Sequence, residues 1–211
     1  MTIKILAVSD VEQSLLYSER AIQRFSDTDL IISCGDLPMN YLDFVASQIN
    51  VPLLYVVGNH QYAVAGPQGD IYPTMGFNLH RRMRHFEGQL LIAGVEGCLR
   101  YNHNPKQYTQ LEMWQHVFSL LPALFWNRMH HGRYLDIFVS HAPPWKIHDQ
   151  DDLAHTGIRA FRWLNKVFRP KYHLHGHIHV YRSDTVTKSV YYQTTVMNCY
   201  GYREIVVGKD D

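Results

Sequence analysis

Apolar segments that each end at a polar residue recur along this chain, and this rhythm most constrains its fold. The first three segments and the residues that follow them are 3–9 with Asp10, 29–34 with Asp36, and 53–57 with Asn59 and His60. Amphipathic segments lie between them. Buried strands that alternate with helices are typical of a parallel sheet with crossover connections. The sequence therefore predicts an α/β fold.

The same pattern extends through the rest of the chain. Further strands are predicted at 90–94, 134–139, 172–175, 189–197 and 202–207, and helices at 14–25, at 40–49 with Asn40 as N-cap, at 109–120 with Thr109 as cap, and at 157–167. Residues 63–78 are rich in Gly and Pro, which predicts an active-site loop or a short insertion, and 100–106 form a second loop. The 211 residues, 46% of them hydrophobic, favour a single domain over 1–211.

Charge and cysteine content exclude several classes of protein. The 20 Lys and Arg against 19 Asp and Glu give a net charge of +1, so no overall basic field indicates a nucleic-acid partner or an anionic membrane surface. The three cysteines are an odd, widely spaced set, which favours a reducing, cytoplasmic location. No apolar run is long enough for a membrane span and no export signal is expected. The oligomeric state stays open.

Residues that can bind metal ions lie at the predicted strand ends. In open α/β sheets ligands bind beyond the carboxyl ends of the strands, so these residues are expected to converge. They are Asp10, Asp36, Asn59, His60, His141, His177 and His179. Carboxylates with imidazoles suit Mn, Zn, Fe or Ni, and the set is too large for one ion that keeps an open position. Two ions that share a carboxylate are implied.

Taken in order, these residues resemble the calcineurin-like metallophosphoesterase superfamily. The matching segments are Asp10-Val-Glu12, Gly35-Asp36, Gly58-Asn59-His60-Gln61, His141 and Gly176-His177-Ile178-His179. The resemblance spans Asp10 to His179 and implies a four-layer α/β/β/α sandwich. It also implies a phosphohydrolase with two divalent cations. Manganese is the expected ion, and Fe, Zn, Ni and Mg are the alternatives.

The resemblance also implies a role for each site residue. One metal ion would be held by Asp10, Asp36, His179 and position 12. The other would be held by Asp36, Asn59, His141 and His177, which makes Asp36 the bridging ligand. His60 would be the catalytic histidine that faces the substrate, with Asn59 beside it.

Two positions depart from the family pattern. Glu12 stands where the family has His, and Gln61 stands where Asp or Glu is usual. Glu12 either binds a cation through its carboxylate or faces solvent at the start of a helix, and both remain open. As a ligand it would lower the charge of the site and favour a harder ion such as Mn. Gly35-Asp36 is not followed by Asp-Arg-Gly, which argues against the Ser/Thr phosphoprotein phosphatases.

A local resemblance extends to the bacterial branch related to low-activity cyclic nucleotide phosphodiesterases. It rests on His141-Ala-Pro-Pro and on the segment 152–161, in which His155 lies beside a predicted helix start that can bind an anion. Arg100 and Asn102 lie in a loop that could reach a phosphate, or they are surface residues. The expected substrate is a phosphodiester, a cyclic nucleotide or another small phosphorylated metabolite. The alternative is a weakly active or inactive fold that serves as a binding scaffold.

Overall fold

Two mixed β-sheets form the centre of the protein. The computed structural model describes residues 2–60, 64–66, 69–71 and 76–208. Within them the strands are β1 Ile3–Ser9, β2 Leu30–Ser33, β3 Leu53–Tyr55, β4 Val64–Gly66, β5 Gly69–Ile71, β6 Gly76–Asn78, β7 Arg82–Phe86, β8 Leu90–Val95, β9 Cys98–Leu99, β10 Gln107–Tyr108, β11 Ile137–Ser140, β12 Tyr172–His175, β13 Lys188–Tyr191, β14 Thr194–Asn198 and β15 Gly201–Val207. The helices are α1 Arg20–Arg24, α2 Met39–Ile49, α3 Gln110–Phe118, α4 Leu121–His131 and α5 Arg159–Phe168.

Both sheets have a parallel centre with antiparallel pairing at an edge. The first sheet has the order β15-β1-β2-β3-β6, in which only β15 runs antiparallel to its neighbour. The second has the order β13-β14-β12-β11-β8-β7, with β13 and β7 antiparallel at the two edges. Each sheet thus brings the carboxyl ends of several strands to one edge.

Three apolar clusters separate the layers and confirm the four-layer α/β/β/α arrangement. The central cluster joins the sheets, with Ile5 and Leu54 from the first packed among Ile92 and Leu174 from the second. A second cluster packs α1 and α2 on the outer face of the first sheet. A third packs α3, α4 and α5 on the outer face of the second sheet. The segments β8, β11 and β12 are almost wholly buried, as strands covered on both faces must be.

Several predicted boundaries were wrong. The helix predicted at 14–25 is only α1, because the chain before it forms turns. Asn40 is not an N-cap, because α2 begins at Met39 and Pro38 occupies the N-cap position. Met39 is one of the buried residues of this helix. The predicted strand at 189–197 is the hairpin of β13 and β14.

The interval predicted as a loop at 63–78 contains strands where it is described. The last of them, β6, pairs with β3 at the edge of the first sheet, and β4 pairs with β5. Gln61 lies outside the described residues. Among the described helices, none has both the length and the apolar character needed to cross a membrane.

His173 illustrates how polar groups are satisfied inside the second sheet. The side chain is fully buried, and its Nε2 lies 2.8 Å from Ser140 Oγ while its Nδ1 lies 2.8 Å from Asn165 Nδ2. Because the amide of Asn165 donates to Nδ1, the proton of the neutral ring lies on Nε2. Burial lowers the pKa of His173 to about 3. Through these contacts His173 supports the fold.

The buried His173 should make the protein less stable in acid. Below about pH 6.5 the unfolded chain binds this proton and the folded protein does not, so the stabilisation is present above pH 6.5 and is lost towards pH 3. The loss is at most about 1.4 kcal/mol per pH unit. His173→Gln should be less stable at pH 7.5 by about 1–3 kcal/mol but should have a shallower slope between pH 6.5 and 4.5. Denaturant unfolding of the chelator-treated proteins measures the free energy of unfolding at each pH. Equal slopes of this free energy against pH in the parent and in His173→Gln would contradict the prediction. His103→Gln, at an exposed histidine, is the control.

Candidate metal centre

Two buried carboxylates lie at the ends of adjacent parallel strands. Asp10 follows β1, and Asp36 lies three residues beyond β2. Both have left-handed backbone conformations, with φ of 66° and 56°, which Asp tolerates better than most residues. The side chain of Asp10 is fully buried and that of Asp36 is 6% exposed. Carboxylates removed from water in this way require positively charged or hydrogen-bonding partners.

Two glycines allow other loops to approach these carboxylates. A Cβ atom at Gly58 would collide with the carboxylate of Asp36. A Cβ atom at Gly176 would collide with Ser9 and with the carboxylate of Asp10. These glycines open the Gly-Asn-His and Gly-His-x-His segments, so close packing around Asp10 and Asp36 explains why both segments begin with Gly.

His141 brings acceptor atoms together around its Nε2. Its Nδ1 lies 2.8 Å from the carbonyl oxygen of Cys34, and since a carbonyl only accepts, Nδ1 carries a hydrogen. Nε2 lies 2.9 Å from Asn59 Oδ1 and 3.2 Å from Asp36 Oδ2. When the His141 ring is neutral, its Nε2, Asn59 Oδ1 and Asp36 Oδ2 all present lone pairs to one another. A proton on Nε2 or a cation among the three atoms is needed to satisfy them.

The charges of the site are strongly coupled. Burial by itself lowers the pKa of His141, but the nearby carboxylates of Asp36 and Asp10 outweigh it and raise this pKa to about 9. Burial raises the pKa of Asp36, but His141 and the backbone N–H of His60, which donates at 2.7 Å, lower it to about 2. Burial dominates at Asp10 and raises its pKa. These opposing shifts follow from enclosing two carboxylates with one imidazole, and carboxylates buried in this way need a positively charged partner.

His177 joins the second sheet to the first. Its backbone N–H donates to both carboxylate oxygens of Asp10, at 3.0 and 3.1 Å. Its Nε2 lies 2.8 Å from the carbonyl oxygen of Ala154, so Nε2 carries the hydrogen and Nδ1 keeps a lone pair. Burial, and then the charge of His141, lower the pKa of His177 to about 3. The ring is therefore neutral near pH 7, as a metal ligand must be.

His179 lies on the solvent side of Asp10. Its side chain is 43% exposed, and its Nε2 lies 3.9 Å from Asp10 Oδ1. Its Nδ1 lies 2.7 Å from the hydroxyl of Tyr181. Two ligand atoms bound to one cation at about 2.1 Å each lie roughly 3–4 Å apart, so this separation fits a shared cation.

The donor set fits divalent cations. One ligand atom from each of Asp36, His141 and His177 lies within 4.8 Å of the others. Asn59 Oδ1 borders this group through its contact with His141 Nε2. Carbonyl groups fix the ring orientations of His141 and His177 from behind, as is usual for metal-binding histidines. Carboxylate, amide oxygen and neutral imidazole together suit the borderline divalent metals.

His60 and His155 lie beside this centre. His60 is exposed, and its backbone N–H is the donor to Asp36 described above. The ring of His155 is tilted by 41° against that of His177 with centroids 5.2 Å apart, and its Nδ1 lies 2.9 Å from both carboxylate oxygens of Asp152. His60 thus contacts Asp36 through its backbone, and the ring of His155 lies beside that of His177. The roles of both residues toward a substrate stay predictions.

The other predicted residues have different surroundings. Glu12 is exposed, and its charge acts on the hydroxyl of Tyr41; it is not one of the three residues whose ligand atoms converge. The Arg100 guanidinium donates to the carbonyl oxygen of Gln107 and to the carboxylate of Glu112. The side chain of Asn102 accepts from Gln107 at 2.7 Å. These contacts stabilise the loop, and the contribution of Glu12, Arg100 and Asn102 to binding stays a prediction.

Tyr101, which the sequence analysis did not single out, contacts the site directly. Its hydroxyl accepts from Asn59 Nδ2 at 3.0 Å and lies 3.4 Å from His60 Nε2. It stands between the two predicted residues Arg100 and Asn102. Its place in the loop between two residues predicted to reach a phosphate is the sequence signal that could have found it.

Family comparison agrees with this geometry. A family model described as calcineurin-like phosphoesterase matches residues 3–181. The match covers most of the chain, so the chain belongs to the calcineurin-like phosphoesterase family, whose members are metal-dependent phosphoesterases. A comparison with curated proteins found no match.

Solved structures share the fold at low sequence identity. TT1561 of Thermus thermophilus is 17% identical with a TM-score of 0.62, covering 99% of this chain and 100% of its own. A hypothetical protein from Thermus thermophilus is 15% identical with a TM-score of 0.51, covering 93% and 75%. GAP50, the anchor in the inner membrane complex of Plasmodium, is 11% identical with a TM-score of 0.50, covering 94% and 71%. These likenesses concern the fold.

Replacing Asp36 with Asn should weaken metal binding and leave the fold intact. Asn tolerates the left-handed conformation at this position and can still accept the hydrogen bond from His60, but it carries no charge. We expect the Mn²⁺ content after dialysis to fall by at least one ion per chain relative to the parent, with an unchanged circular dichroism spectrum. Exposed Asp184→Asn, which removes a charge elsewhere, is the control. Asp36→Asn protein that retained the full metal content would show that Asp36 is not a bridging ligand.

Proposed function

We propose that this protein hydrolyses phosphate esters with two divalent metal ions. Its substrates would be phosphodiesters or small phosphorylated metabolites, cyclic nucleotides among them. The observation that carries the proposal is the convergence of ligand atoms from Asp36, His141 and His177 beside the buried Asp10, in a chain of the phosphoesterase family. Proteins rarely enclose this much negative charge without a cation.

Two sets of residues would hold the cations. Asp10, Asp36 and His179, with Glu12 if its side chain turns inward, would form one set. The other set would be Asp36, Asn59, His141 and His177, so that Asp36 belongs to both. When bound, such a pair of cations lowers the pKa of a water molecule towards neutrality and holds phosphate oxygens for in-line attack.

The chain's own groups fix the ligands in place. The carbonyl oxygen of Cys34 accepts from one ring nitrogen of His141, and that of Ala154 accepts from one ring nitrogen of His177. The other nitrogen of each ring is left to bind a cation. The N–H of His60 holds Asp36, and its exposed imidazole can give a proton to a leaving oxygen. Protein groups that are already oriented lose little free energy when the substrate binds.

The substrate class rests on local features. Arg100 contacts Glu112, whereas the imidazole of His155 lies near His177 and that of His60 lies 3.4 Å from the hydroxyl of Tyr101, which contacts Asn59. Histidines can contact a singly charged diester without a dedicated arginine, and the segment around His155 resembles that of cyclic nucleotide phosphodiesterases. We therefore place phosphodiesters before phosphomonoesters, with no nucleic-acid polymer or membrane as partner.

Metal identity and location complete the proposal. Manganese suits a site rich in carboxylates and neutral imidazoles, with Fe, Zn, Ni and Mg as alternatives. The three cysteines, Cys34, Cys98 and Cys199, are all buried free thiols, which supports a reducing, cytoplasmic location.

A metal-depletion assay tests the proposed activity. Chelator-treated protein should not hydrolyse bis(p-nitrophenyl) phosphate, p-nitrophenyl phosphate or cyclic AMP, and added Mn²⁺ should restore hydrolysis, faster for the diesters. Asp36→Asn prepared in parallel controls for contaminating phosphatases and should stay inactive. A parent that binds two Mn²⁺ ions but cleaves none of these substrates would overturn the enzyme proposal and favour a binding scaffold.

His60 is expected to act on the substrate and not on the metal ions. General acid catalysis typically contributes about 10²–10⁴ in rate, so kcat of His60→Ala should fall within that range. Its Mn²⁺ content should equal that of the parent, because only the backbone N–H of His60 contacts the ligand Asp36 and this group is kept. His103→Ala is the control at an exposed histidine. Loss of a bound ion in His60→Ala would identify His60 as a ligand instead.

A further inference from the structure

The hydroxyl of Tyr101 connects two functional side chains of the proposed site. It accepts a hydrogen bond from Asn59 Nδ2 at 3.0 Å and lies 3.4 Å from Nε2 of His60. A tyrosine hydroxyl has an ordinary pKa near 10, so at neutral pH it can accept from Asn59 and donate to His60 at the same time. One oxygen atom thus orients a predicted ligand and the predicted catalytic histidine.

The orientation of the Asn59 amide depends on this contact. Asn59 can present either its oxygen or its NH₂ group to His141, and only the oxygen can bind a cation. Tyr101 occupies the NH₂ group, and Oδ1 lies 2.9 Å from His141 Nε2. Since Asn59 is 6% exposed, few waters can replace the hydroxyl as the acceptor.

The loop that carries Tyr101 is built to hold it still. The side-chain oxygen of the buried Gln107 accepts from the backbone N–H groups of Tyr101 and Asn102, at 3.1 and 3.0 Å. Arg100 bonds to the carbonyl oxygen of Gln107 and to Glu112 of α3. The ring of Tyr101 also packs against the cluster under the helices of the second sheet. Because these three sets of contacts already restrict the loop, holding the hydroxyl in place costs little additional conformational entropy.

We infer that Tyr101 is a positioning residue that fixes the amide of Asn59 and the imidazole of His60. The inference rests on the proposed function, because it assigns Asn59 to a cation and His60 to the substrate. Partners that orient metal ligands typically contribute 10–100-fold to metal affinity or activity. Tyr101 acts through Asn59 and His60 and does not itself contact a cation.

Tyr101→Phe isolates the hydroxyl, because the ring and its packing remain. We expect Mn²⁺ titration to show one of the two ions bound at least tenfold more weakly, and kcat at saturating Mn²⁺ to fall with little change in KM. Tyr108→Phe is the matched control: its hydroxyl, on strand β10 directly after the loop, donates to Glu96 at 2.7 Å. An equal loss of affinity in both variants would indicate a loosened loop and overturn the inference, as would parental Mn²⁺ binding and kcat in Tyr101→Phe.

A double-mutant cycle tests whether the effect passes through Asn59. If Tyr101 acts by orienting this amide, adding Tyr101→Phe to Asn59→Ala should weaken Mn²⁺ binding no further. Additive losses would show that Tyr101 does not act through Asn59. The predicted effect on kcat through His60 is independent of this cycle.

A measurement without metal separates this inference from the proposed function. In ¹⁵N spectra of the chelator-treated protein, the side-chain amide of Asn59, identified by its absence in Asn59→Asp, should exchange slowly with water in the parent and in Tyr108→Phe. It should exchange at least tenfold faster in Tyr101→Phe. Slow exchange in Tyr101→Phe would overturn the positioning role, even in a parent that binds Mn²⁺ and hydrolyses diesters. A parent that neither binds Mn²⁺ nor hydrolyses esters would overturn the proposed function, while the amide exchange would still decide the role of Tyr101.

Discussion

Negative charge enclosed between two sheets is the constraint on which the rest of this structure depends. Asp10 and Asp36 lose their water because the loops that begin at Gly58 and Gly176 pack against their carboxylates. Their carboxylates can remain there only because His60 and His177 donate backbone N–H groups and His141 supplies an imidazole. The glycines and left-handed turns serve the same end, since they bring these donors within reach.

The periodicity of the sequence predicts the centre of the fold better than its edges. Buried strands such as β1, β8 and β12 are continuous apolar runs, and the packing that buries them is the reason for their composition. Edge strand β7 exposes Arg82, Arg84 and the neighbouring His85, so its polar residues are not confined to one face. Helix α4 exposes Phe125, Trp126 and Met129, so neither element shows a clear amphipathic pattern. Such elements are specified by tertiary contacts that a local pattern does not contain.

The convergence of the candidate ligand side chains could be predicted because parallel strands bring distant residues to one edge. That rule locates Asp36, His141 and His177 without knowledge of any side-chain contact. It gives no information about which way a side chain turns after the strand ends. Whether Arg100 faces a ligand or Glu112 depends on loop packing, and so does the approach of Tyr101 to Asn59. Loop conformations of this kind follow from many weak contacts and not from spacing.

The hydrogen bonds between His177 and Asp10 also bear on how the molecule assembles. They join positions 167 residues apart, so their formation closes most of the chain into one loop. The entropy of closing such a loop must be lost before the contact contributes any stability, and contacts of this range form slowly. The proposed ligands come from both sheets, so no partly synthesised chain that ends before β12 can contain the complete set. The proposed site is therefore complete only after β12 and the segment that follows it have joined the rest of the fold.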